Sequence, residues 1–369
     1  MKRIIAALAL VPIAMAAFAA DPKVILQTRV TGNLVTHYLD GDDSLEDSGV
    51  ALPGKDIFGA EYKDENAGAY VAVQGQFAKD YSTTKASDSP LSIYDYYGWM
   101  KFGDLKVSAG EWEHRYASRV TGDLSSFGGI FDLYYGPMKL DAKKEGFINN
   151  AYESDNLTPW NAEFALDYAF ENGVASVSTG NDKGDPHNAA EFFAARVGYR
   201  VEGTANLDAT VSMRGKDMTV IGAFAEILAV EKLSLVVGYS GFRNAEDDAQ
   251  NLNAGELRAR YAVSDAMSVT THNNVTLGED SMILYDMVNL AYRLNDTVTP
   301  AFMLANTNVS GDAYADDLTG NLVTVRPGVT VSPRKGATID AGCKLEYWKP
   351  GEGDGFTRVS IPVVFRVKF

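Results

Sequence analysis

The sequence predicts an all-β chain closed into a transmembrane up-and-down antiparallel β-barrel of about 16–18 strands, the count favouring 18. Three observations predict it. Apolar and polar residues alternate with period two in stretches of up to about a dozen residues, from one end of the chain to the other. Tight turns alternate with long polar connections. Beyond the first twenty residues no run of 18 consecutive apolar residues exists, so a membrane can be crossed only by strands. Amphipathic 3.6-residue periodicity is nearly absent after the leader. Composition agrees with a folded chain: of 369 residues 46% are hydrophobic and 22% charged.

The first element is a leader. Lys2 and Arg3 precede the apolar run Ile4 to Phe18, and Ala17-Phe18-Ala19 fits a small-x-small cleavage pattern. The expected division is residues 1–19 as a cleaved secretory signal peptide, with cleavage near Ala19/Ala20, and residues 20–369 as a single barrel domain. Loss of Lys2 and Arg3 takes the formal charge from −16 to −18. Such an acidic chain lacks the basic surface that phosphate backbones require, which excludes nucleic acid as a partner. The single Cys343 excludes an internal disulfide framework and a cysteine zinc cluster.

Strands follow near 24–38, 56–63, 68–79, 91–102, 105–114, 161–170, 173–180, 191–201, 205–214 and 218–229. They continue near 232–242, 254–263, 266–277, 282–294, 297–309, 320–332, 337–348 and 356–369. The first carries Val24, Leu26, Thr28, Val30, Gly32, Leu34, Thr36 and Tyr38 on one face. The last alternates Val359, Ile361, Val363, Phe365, Val367 and Phe369 with Arg358, Ser360, Pro362, Val364, Arg366 and Lys368. Segments 56–63 and 173–180 have the weakest pattern, and without one hairpin the count falls to 16. Parity breaks around Glu111-Trp112-Glu113-His114, where a bulge or strand end is expected. Tyr94, Tyr96, Tyr168, Phe170, Tyr239, Phe242, Tyr292 and Tyr347 lie near strand ends, as interfacial aromatic girdles do.

Short connections read Gly103-Asp104, Glu171-Asn172, Glu202-Gly203, Glu231-Lys232, Ser264-Asp265 and Asn295-Asp296. Long ones fill 39–55, 80–90, 115–160, 181–190, 243–253, 310–319 and 349–355. Two connections on the long side, near 215–217 and 278–281, are short. An even strand number puts both termini on the short-turn rim. A closed barrel is the one β structure that satisfies every backbone group in lipid, and 16–18 strands leave an aqueous interior.

The leader, the strand and turn rhythm, and the terminal Val363-x-Phe365-x-Val367-x-Phe369 resemble a Gram-negative outer-membrane porin of the general diffusion type. The resemblance spans the whole mature chain and rests on pattern, without a diagnostic motif. It implies a water-filled passive channel for small hydrophilic solutes and ions, an outer-membrane location in contact with lipid, and a homotrimer. It implies recognition of the C-terminal strand ending in Phe369 by the barrel-assembly machinery. It also implies that the connection 115–160 folds into the barrel and narrows it. Phe127-Gly128-Gly129-Ile130-Phe131 within that segment is too apolar for a solvated loop, and Asp123 and Asp132 are its candidate acidic lining.

Inward parity gathers Arg29, Arg196, Arg200, Arg214, Arg258, Arg260, Arg326 and Arg358, with Lys344 and Arg366. Facing an acidic loop, these side chains would set a transverse field across a constriction. The other reading pairs them with Asp208, Glu256 or Asp340. Acid runs such as Asp40, Asp42 and Asp43 read as a solvated vestibule; their spacing gives no calcium loop, so no metal or other cofactor is expected. The histidines His37, His114, His187 and His272 are scattered, and no nucleophile motif occurs, so no enzyme is expected. A substrate-specific channel for sugars or anions, and a surface adhesin or structural barrel, fit the same pattern.

Overall fold

A computed structural model describes residues 23–40, 54–76, 91–112, 161–181, 192–214, 218–246, 251–312 and 319–368. The leader and its cleavage point, loop 115–160 with Asp123 and Asp132, most of the acid runs, and the terminal Phe369 lie outside the described residues.

The strands begin with β1 (Lys23–Asp40), β2 (Gly54–Lys63), β3 (Ala67–Gln76), β4 (Leu91–Phe102) and β5 (Leu105–Trp112). Then come β6 (Asn161–Phe170), β7 (Gly173–Asn181), β8 (Phe192–Val201), β9 (Ala205–Arg214) and β10 (Met218–Ile227). β11 (Leu233–Asn244), β12 (Leu252–Ala262), β13 (Met267–Leu277), β14 (Met282–Tyr292) and β15 (Val298–Ser310) follow. The chain ends in β16 (Gly320–Arg334), β17 (Ala337–Gly342), β18 (Lys344–Pro350) and β19 (Phe356–Lys368).

Along the chain from β1 to β16 each strand pairs antiparallel with the next, and β19 returns to pair with β1 from Gln27↔Lys368 to Asp40↔Thr357. That pairing closes the ring. β17 and β18 are two halves of one stave, since both lie between β16 and β19 in a single register. The described residues therefore build 18 staves, and 56–63 and 173–180, the two weakest patterns, are both strands.

Two prolines explain the break between β17 and β18. Cys343 N–H donates to the Pro327 carbonyl at 3.0 Å, but proline has no N–H to return. On the other side the register sets Pro362 opposite Gly342, between the pairs Ala341↔Val363 and Lys344↔Ser360. Consecutive ladder bonds are thus lost on both flanks of one stave.

Side chains alternate as the pleat requires. In β13 Thr270, His272, Asn274 and Thr276 are buried; in β14 Ile283, Met287 and Asn289 are buried while Val288, Leu290 and Tyr292 are exposed. The buried set is the concave inner wall and holds most of the charge. The exposed set is the outer wall, where Val24, Phe58, Met100, Tyr168, Val197, Leu257, Phe302 and Phe365 stand apolar and open. Tyr96, Phe170, Tyr239, Tyr292 and Tyr347 also face outward.

β1 departs from the sequence reading. Its pairing with β19 shifts between Asn33 and Thr36, so Leu34 and Val35 are both exposed and the faces exchange. Tyr38, expected with Val24 and Leu26, lies instead on the inner wall against Phe356 and Arg358. A second bulge falls where parity broke, between Ala109 and Trp112 in β5. Gly110 there has φ +131°, and a Cβ would strike the Tyr96 carbonyl oxygen.

The outer wall has one mid-height carboxylate among the described residues. Asp286 shares its face with Leu284, Val288 and Leu290, accepts a bond from Asn273 Nδ2 at 2.7 Å, and stands opposite Asn306. In the β2–β3 turn Asp64 accepts from the Tyr62 hydroxyl at 2.6 Å and from the Asn66 and Ala67 amides at 2.7 Å. These donors, the Tyr62 hydroxyl first, hold its carboxyl below the usual carboxylate range.

Candidate functional site

The inner wall of β16, β18, β19 and β1 carries a dense charge cluster. Glu346 is 0% exposed and sits between two cations. Its Oε1 accepts from Lys344 Nζ at 2.8 Å, and its Oε2 accepts from Arg358 Nε and Nη2 at 2.8 Å. Arg358 also donates to the Tyr38 hydroxyl at 3.3 Å and lies 5.4 Å from the Phe356 ring centre. Lys344 and Glu346 share a face because they are two residues apart on one strand. Arg358 joins them because β19 pairs Glu346↔Arg358.

Below this, Thr330 donates to Asp340 at 2.6 Å, and Arg326 and Arg366 act on the same carboxylate through space. Arg326 is buried beside Met303 of β15 and falls level with Lys344 in the register. Four cations thus face two carboxylates on this stretch of wall. Along β12 and β13 a second cluster forms: Arg258, 1% exposed, pairs with Glu256, and His272 Nε2 lies 3.1 Å from the same carboxylate. The His272 ring meets Tyr285 edge-on at 5.4 Å.

On β8 and β9 Arg196 Nε donates to Asp208 Oδ2 at 2.7 Å. Arg196, Arg258 and Arg358 therefore each engage a carboxylate on the same or the next strand. Arg200 and Arg260 do not join them; both are exposed, close to the short turns. Arg29 stands opposite Arg366 in the β1–β19 register, and Arg214 ends β9; their side chains lie outside the description. His37 is exposed near the loop end of β1.

Sequence reading missed Glu346 as the hub of the wall. The signals were present as Lys344-x-Glu346 and Glu256-x-Arg258, opposite charges two apart on one inward face. It also missed a row across β4 to β8. Successive Cα partners Lys101↔Lys106, Lys106↔Asp167, Asp167↔Ser176 and Ser176↔Arg196 place these five residues side by side on the inner wall. They line an open cavity of about 500 Å³ near the short-turn rim.

No family model and no curated protein matches the chain. Solved structures do. A triple mutant of the Rhodopseudomonas blastica porin is similar at 13% identity and TM-score 0.52, over 95% of this chain and all of that one. OccAB4 of Acinetobacter baumannii is similar at 8% identity and TM-score 0.61, and the outer-membrane protein opdK of Pseudomonas aeruginosa at 10% and 0.58. Each covers 95% of this chain and 99% of that one. At such identities the likeness is one of fold: this chain is built as a porin-like β-barrel.

Proposed function

We propose that the chain forms a water-filled channel in an outer membrane, through which small hydrophilic solutes and ions diffuse passively. The observation that carries this is the ring of 18 staves with an apolar outer wall and a charged, polar inner wall. Charge placed inside a closed sheet is useless as a packed core and expensive in lipid, but it is stable beside water. In this reading residues 1–19 are removed on export, near Ala19/Ala20. The C-terminal strand ending in Phe369 addresses the assembly machinery, and the barrel works as a homo-oligomer, a trimer. Arg29, Arg196, Arg214, Arg258, Arg326 and Arg358 line the lumen, with Arg200 and Arg260 at its short-turn mouth. Asp123 and Asp132 of the long connection face them.

Selectivity is weak. Glu346, Glu256 and Asp208 offset Arg358, Arg258 and Arg196, so the wall's net charge is far smaller than its count of arginines. The acidic rim acts over only about 8 Å at physiological salt.

The test is single-channel current of the refolded mature protein in a planar bilayer under a KCl gradient. Stable conductance steps, with closure in thirds, are expected together with a reversal potential near zero. Folded, inserted barrels that give no steps would sink the channel reading in favour of an adhesin. A substrate-selective channel is the second reading, favoured by the Lys101–Lys106 pair, and would show as saturable block by one solute class.

A further inference from the structure

We propose that the inner wall near the short-turn rim holds a binding subsite for a small oxyanion, a carboxylate or a phosphate, centred on Lys101 and Lys106. The subsite deepens the channel reading by naming a solute chemistry, and it sits apart from the Glu346 cluster. The tight turn at Gly103-Asp104 fixes the β4–β5 register, and that register sets Lys101 directly opposite Lys106. Like charges at directly opposed positions repel at close range, and sheets ordinarily avoid them. Arg29 and Arg366 are likewise opposed in the β1–β19 register, whereas Arg196, Arg258, Lys344 and Arg358 each engage a carboxylate on the same or the next strand.

The two ammonium groups are gathered on one aromatic ring: Lys101 Nζ lies 5.7 Å and Lys106 Nζ 5.4 Å from the centre of Trp99. Trp99 in turn lies over Gly68 of β3, where a Cβ would come 2.5 Å from Trp99 Nε1. A missing side chain thus seats the ring that seats both cations. Asp167 Oδ2 stands 3.7 Å from Lys106 Nζ, so a carboxylate shares the wall with the two lysines. At the far end of the row Arg196 is turned toward Asp208.

The cavity of about 500 Å³ in front of these groups admits an ion the size of phosphate or succinate. An oxyanion there relieves the repulsion by bridging both ammonium groups, and Ser176 adds a hydroxyl donor further along the row. Asp104 and Asp167 line the same cavity and keep the field modest. Binding is therefore weak and exchange fast, as transit through a pore demands.

The test is isothermal titration of the full-length protein, refolded in detergent, with inorganic phosphate and with succinate in separate runs at low salt. Saturable binding in the millimolar range is expected and should weaken as KCl rises. Lys101→Gln/Lys106→Gln should weaken it at least tenfold. Lys106→Glu, which places an acid opposite Lys101 and keeps the sheet paired, should abolish it. Lys349→Gln, on the outer face of β18, should leave it unchanged. Saturation by succinate alone identifies a carboxylate site, and by phosphate alone a phosphate site. Saturation by neither ion, or equal binding by Lys106→Glu, overturns the proposal. Planar-bilayer currents separate it from the channel reading: binding without conductance leaves the subsite and removes the pore, and conductance without binding does the reverse.

Discussion

The wall at β16–β19 and the row across β4–β8 use the same side chains and solve the charge problem differently. At the first, Glu346 is wholly buried and receives charge-assisted bonds from two cations, each at 2.8 Å. At the second, two lysines face one another, and Asp167 Oδ2 stands 3.7 Å from Lys106 Nζ. The difference teaches that inward charge in a barrel has two uses. Buried with its counter-ions, it ties neighbouring staves together; opposed across a turn and facing a cavity, it serves the proposed oxyanion.

The contrast breaks most sharply at Glu346. Glu346→Ala leaves Lys344 and Arg358 as uncompensated buried charges and should cost about 3–5 kcal/mol in urea unfolding of the refolded barrel. Asp167→Ala removes a looser partner and should cost less than about 1 kcal/mol. Equal losses would erase the distinction.

Next in size is the outer wall. There Asp286 and Asn273 place polar groups where Leu284, Val288 and Leu290 mark an apolar face. Replacing both with leucine should raise unfolding stability by about 2 kcal/mol in lipid vesicles, since an acid on a membrane-facing strand is costly. A loss would show that the patch is covered in the assembled protein.

Lys101→Gln should sharpen the comparison in the opposite sense to Glu346→Ala. It relieves the repulsion with Lys106, leaves the Lys106–Asp167 pair in place and should gain about 0.2–1 kcal/mol, read in the same unfolding experiment.

The smallest effect concerns Asp64. Its carboxyl titrates below its unfolded value, so its contribution is present above the ordinary carboxylate pKa and is lost as pH falls through the lowered folded value. Asp64→Asn should lower stability slightly near neutral pH and flatten the acid loss, so that the variant and the parent converge at the acid end, followed by unfolding midpoints between pH 2 and 6.

Most of the staves were legible because a strand crossing lipid must alternate over its whole length, and turns such as Glu171-Asn172 interrupt the alternation cleanly. The face of Tyr38 was not legible. Leu34 and Val35 are both apolar, so the pattern gives no sign of which residue the bulge leaves out. Of the candidate site, the inward set Arg196, Arg258, Arg326 and Arg358 could be read from parity, but their partners could not. Arg358 and Glu346 are twelve residues apart and meet only through the β18–β19 register. Lys101 and Lys106 are the exception. The two-residue turn between β4 and β5 already fixed them opposite each other, and the consequence could have been drawn from the sequence.

By itself the sequence determined the period, the turns, the order of the staves and which residues could face the lumen, because each of these is a local property of pleat and turn chemistry. The closure of β19 onto β1, the broken stave at Cys343 and the partner of each inward charge were decided by the tertiary structure. Those depend on how far each strand slides along its neighbour, and a slip of one residue would turn every side chain to the other wall.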